Sequence, residues 1–65
     1  MQPHQERVVT EKQELDEKLA KLKVFIFEDG KIFNTLAAEE RDRLERQYTA
    51  MKQYSDVLGN RIAAF

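Results

Sequence analysis

Apolar residues recur every seven positions in two stretches of the chain, and that spacing constrains the fold more than any other feature. In the second half, Leu44, Met51, Leu58 and Phe65 form one row, and a second runs beside it from Tyr48 to Ile62, with Gln47 and Tyr54 on its flank. In the first half the matching row is Val8, Leu15 and Leu22, with Leu19 and Ile26 beside it. One face of a helix stays covered only when apolar residues return every 3.5–3.6 positions. The spacing therefore predicts two amphipathic helices whose stripes bury each other.

Local signals place the ends of both. Pro3 suits a first helical turn, where its missing N–H is no loss, and Glu6 sits where the helix dipole favours an anion. Helix 1 is expected to run from there to about Phe27. The pairs Glu14 with Lys18 and Glu17 with Lys21 support it at i,i+4 spacing. Val24-Phe25-Ile26-Phe27 has the composition of a buried strand, but no second such run exists to pair with it. It is read as the last turn of helix 1. Glu28-Asp29-Gly30-Lys31 is the clearest turn signal, after which Ile32 and Phe33 return to the core within one helical turn. Helix 2 is expected from about Ala37 to the C-terminus, with Glu39 and Glu40 in its first turn. Gly59 inside it costs about 1 kcal/mol against alanine, which points to fraying or to a close approach.

A connection of about nine residues makes the helices antiparallel neighbours. The expected fold is all-α: one domain over residues 1–65, a hairpin of two long helices that assembles into an oligomer. With Phe27 opposite Ala37, facing residue numbers sum to 64, give or take a turn. One end of the hairpin then holds Phe25, Phe27, Ile32, Phe33 and Leu36. The other brings His4, Arg7, Val8, Glu11 and Lys12 near Lys52, Tyr54, Gly59 and Arg61.

Composition narrows the function classes. A chain of 65 residues buries a marginal core, and with no cysteine it lacks the usual covalent support. Self-association is the remaining remedy. Eleven basic residues against twelve acidic ones argue against a DNA or RNA duplex as partner. No apolar run reaches the roughly 20 residues of a membrane span, and the N-terminus lacks the apolar core of a signal peptide, so a cytoplasmic location is expected.

Catalytic signatures are absent: no glycine-rich phosphate loop, no H-E-x-x-H and no EF-hand loop. His4 is the only histidine, so one copy cannot build a histidine-based metal site, and no cofactor is called for. An enzyme is not expected. Arg7 and Arg61 have no acidic residue three or four positions before them, which leaves their guanidinium groups free for bidentate recognition of phosphate. The candidate ligand-binding residues are His4, Arg7, Val8, Glu11, Lys12, Tyr54 and Arg61, with Tyr54 as a stacking ring and Gly59 permitting close backbone approach.

Two patterns carry a family resemblance. The first is P-H-x-x-R-V followed by E-x-x-x-L-x-x-K-L-x-x-L-x-x-F-I, here Pro3, His4, Arg7, Val8, Glu11, Leu15, Lys18, Leu19, Leu22, Phe25 and Ile26. The second joins Phe33 and Leu36 to Gln47, Met51, Tyr54, Leu58, Arg61 and Ile62. Together they resemble the helical-hairpin domain of phage anti-CBASS and anti-Thoeris sponges. That resemblance implies a non-enzymatic homo-oligomer, a hexamer in characterised members, that sequesters a cyclic di- or trinucleotide immune signal inside the infected bacterium. The other reading the periodicity allows is a protein-interaction module, in which the heptad face captures and inhibits a host protein.

Overall fold

The computed structural model describes residues 1–65 and contains two helices packed against each other, with no strand. α1 spans Pro3–Lys23. Its start is closed by the Gln5 side chain, whose Oε1 accepts a hydrogen bond from the Gln2 backbone N–H at 2.8 Å. The helix does not stop at Lys23. Val24 keeps right-handed helical angles and its N–H bonds back to the Ala20 and Lys21 carbonyls, so the chain continues as a π-helical segment, Val24–Asp29. Helix 1 thus runs two residues past the expected Phe27, and Glu28-Asp29 belongs to the helix, not to a turn.

The π segment is the structure's answer to four consecutive apolar residues. A π turn holds one more residue than an α turn, so successive side chains diverge by a smaller angle. Phe25 and Phe27 then both find aromatic partners while Ile26, between them, is buried. Phe25 meets Phe33 edge-on at 6.4 Å between centroids, and Phe27 meets Tyr48 at 5.2 Å. Gly30 ends the segment at φ 69°, the left-handed conformation that only glycine adopts without strain. A 3₁₀ turn, Phe33–Thr35, follows as expected and delivers Phe33 to the core. α2 then spans Ala38–Ala63, with Glu39 and Glu40 in its first turn.

The core is a thin line along the contact: Val8, Ile26, Phe33 and Leu58 are buried, Leu58 completely. The molecule measures 46 × 16 × 14 Å, one helix pair thick, so no further layer covers the outer faces. Val24, Phe27, Ile32, Tyr54, Val57 and Phe65 are accordingly left 44–59% exposed. Phe27, Ile32 and Phe65, the last at the end of the inward row, are apolar surface that one hairpin does not cover, whereas Phe33 is buried and Phe25 and Met51 are partly covered within it.

The two helices face each other in a different register from the expected one. Facing residue numbers sum to 67 for Lys12 and Ser55, 71 for Asp16 and Ser55, 71 for Lys12 and Gly59, and 75 for Phe27 and Tyr48. They centre on 71 instead of 64, a slide of two turns or about 10 Å. Part of the slide follows from the helix ends, since Asp29 and Ala38 already give 67. Phe33, folded back onto Phe25, lets α2 begin beyond the end of helix 1, beside the connection.

Candidate functional site

A polar layer interrupts the apolar contact between the helices. Ser55 stands seven residues after Tyr48 and seven before Ile62, in the inward row of α2, and is only 5% exposed. Its hydroxyl donates to Asp16 Oδ1 at 2.5 Å and accepts from Lys12 Nζ at 2.7 Å. Lys12 Nζ also donates to Asp16 Oδ2 at 3.0 Å, closing a triangle in which each group has a partner. Charge-assisted bonds of this kind are about twice as strong as neutral ones, and both Ser55 and Lys12 hold Asp16 below the ordinary carboxyl range.

A serine beside a lysine has the contact distance of a nucleophile and its base. Here the hydroxyl is packed between two helices and already donates to a carboxylate, so it has neither room nor a free proton for a substrate. The layer's chemistry is structural. It aligns one helix on the other, because any slide of α2 would separate Ser55 from both partners.

Gly59 belongs to the same arrangement. A Cβ built there would lie 3.5 Å from Lys12 Cε, so the glycine lies beneath the lysine stem where it crosses to Ser55. That distance is ordinary contact and φ is helical, so Gly59→Ala is expected to raise stability by about 0.5–1 kcal/mol through helix propensity. Thermal or urea unfolding would check this, and a loss of stability would mean that the lysine needs the extra space.

The sequence-predicted ligand residues separate into groups. His4, Arg7 and Glu11 are exposed on α1, while Val8 points inward and is 6% exposed. Lys12 commits its ammonium to Asp16 and Ser55. In the observed register Arg61 stands level with Thr10, still at the His4 and Arg7 end. Tyr54 stands level with Glu17, ten residues from Arg7 along α1, which is about 15 Å. One chain therefore brings Arg61 near that end and leaves Tyr54 near the middle of the rod.

Beside Arg7 lies an open groove of about 400 Å³ lined by Pro3, Glu6, Arg7, Thr10, Glu11 and Glu14. Its three carboxylates outnumber its one guanidinium, so a single copy does not offer a phosphate a favourable surface. Arg7 and Arg61 form no ion pair, whereas Arg43 and Arg46 pair with Glu40 and Asp42. Arg41, seven residues before Tyr48, buries its Nε without a hydrogen-bond partner. No three His, Cys, Asp or Glu side chains converge as a metal site requires. No helix is long and apolar enough to cross a membrane.

A family model described as Sequestin matches residues 2–64. The chain belongs to the Sequestin family. The match takes in both helices, the connection and every residue of the polar layer, so family membership rests on the whole hairpin and not on one motif. No curated protein and no solved structure matches the chain. The Sequestin name suggests sequestration and says nothing of what is held.

Proposed function

We propose that the protein sequesters a cyclic di- or trinucleotide, binding it between copies of the hairpin and releasing it chemically unchanged, as a phage defence against CBASS-type signalling in the host cytoplasm. The observation that carries this reading is the Sequestin match over residues 2–64. The resemblance of the Pro3–Ile26 and Phe33–Ile62 patterns to anti-CBASS sponges supplies the ligand class and a hexamer as the expected assembly.

On this reading the charge layout calls for more than one copy. Cyclic oligonucleotides carry two or three phosphates, and the acidic groove around Arg7 would repel them in an isolated chain. Arg7 and Arg61 have guanidinium groups uncommitted to any carboxylate, and apposing those of neighbouring copies collects positive charge without breaking an existing ion pair.

Native mass spectrometry with a panel of cyclic di- and trinucleotides tests the reading directly. A bound mass equal to the intact nucleotide, recovered unaltered after heating, is the expected result. Arg7→Ala and Arg61→Ala are each expected to weaken binding about ten- to a hundredfold, the worth of one charge-assisted phosphate contact. Calorimetry reads that effect, with sedimentation confirming an unchanged assembly for Arg7→Ala. Wild-type protein that binds no cyclic nucleotide would overturn the reading in favour of a host-protein inhibitor.

A further inference from the structure

α2 carries a second stripe that the hairpin does not use. Gln47, Ala50, Tyr54, Val57, Arg61 and Ala64 follow one another at spacings of three and four, each one position before a residue of the inward rows. All six are exposed, Tyr54 by 44% and Val57 by 54%. α1 has no counterpart, since none of its large apolar side chains is exposed. Alternation of three and four is the spacing at which one helix meets another at a shallow angle, so the stripe is shaped for a helix.

We propose that its occupant is α2 of a second copy, packed antiparallel about a two-fold axis. Charge and size select this arrangement and its register. With facing numbers summing to 111, Tyr54 meets the partner's Val57, Gln47 meets the partner's Ala64, and Arg61 meets the partner's Ala50. Each larger side chain then has a smaller one opposite it, and no like charges face each other. Sliding by one heptad to 104 sets Arg61 against the partner's Arg43, and a parallel pairing sets Arg61 against itself. Like charges directly opposed are unfavourable, so both alternatives are disfavoured. In the favoured register exposed Phe65 reaches the level of the partner's Arg46, whose aliphatic stem continues the contact to the end of the helix.

This inference extends the sequestering reading by naming the face through which copies meet, and it is tested without any nucleotide. The chain has no cysteine, so paired thiols can be introduced cleanly. The double variant Gln47→Cys with Ala64→Cys is expected to give a covalent dimer with a short bis-maleimide. Either single variant is expected to remain uncrosslinked, because its own thiols lie about 25 Å apart along the antiparallel pair. Val57→Glu changes only an exposed position, so circular dichroism is expected to show an intact hairpin while sedimentation shows self-association weakened about a hundredfold. Crosslinking by Gln47→Cys alone, no crosslinking by the double variant, or an unchanged assembly in Val57→Glu would each overturn the proposal. Retained nucleotide binding by wild type in any of those cases leaves the sequestering reading standing apart from it.

Discussion

Leu58→Ala is expected to destabilise the hairpin by about 3 kcal/mol, more than any other truncation of a single apolar side chain in α2. Leu58 is the one side chain wholly removed from solvent, and it sits in the row between Met51 and Phe65 where α2 lies against α1. Truncation removes its transfer energy and leaves a cavity that two helices held by a polar layer are poorly able to collapse. A small domain has only about 5–10 kcal/mol of stability to lose, and usually less at this length. The variant is therefore expected to be largely unfolded at 37 °C, with its urea midpoint reduced by half or more. The exposed Val57→Ala, one residue away, is expected to cost the hairpin under about 0.5 kcal/mol. Equal losses for the two would show that burial within one hairpin does not set the stability.

The rows that contain Leu58 were legible because a seven-residue repeat has one low-energy solution, a helix with one face covered. Helix number follows from it, while the short connection sets the antiparallel hairpin and the turn signal around Gly30 places the helical turn at Phe33. The register did not, because apolar rows match equally well after a slide of one or two turns. What fixes it is polar, and the sign was in the inward rows: Ser55 occupies the position between Tyr48 and Ile62, and Lys12 the position seven before Leu19. Each breaks an apolar row, which is stable only if the two meet. The π segment was hidden for a different reason, since it arises from Phe25 and Phe27 meeting Phe33 and Tyr48, contacts set by tertiary packing.

Asp16→Leu is expected to destabilise the hairpin by about 1–2 kcal/mol, because it leaves the Lys12 ammonium without its counter-charge and the Ser55 hydroxyl without its acceptor at the helix contact. The figure is kept low because the Asp16 side chain is 44% exposed, so water screens the pair and can replace part of what is lost. Its pH dependence identifies the cause. Ser55 and Lys12 depress the carboxyl below its ordinary value of 3.8, so the native state binds this proton less readily than the unfolded chain. The stabilisation is then fully present above that value and disappears as pH falls through the lower, folded-state value. The gap between wild type and Asp16→Leu is expected to be constant near neutrality and to narrow below pH 3.8, read from urea midpoints across the range. Replacing all three partners, as Lys12→Met, Asp16→Leu and Ser55→Ala together, is expected to restore or exceed wild-type stability, since no polar group is left unpaired. The same variant is expected to lose its single register, because the apolar rows alone permit a slide of one heptad. Multiple amide resonances per residue would report that loss. A triple variant as stable as wild type and with one sharp set of resonances would show that packing, not the Lys12–Asp16–Ser55 layer, aligns the two helices.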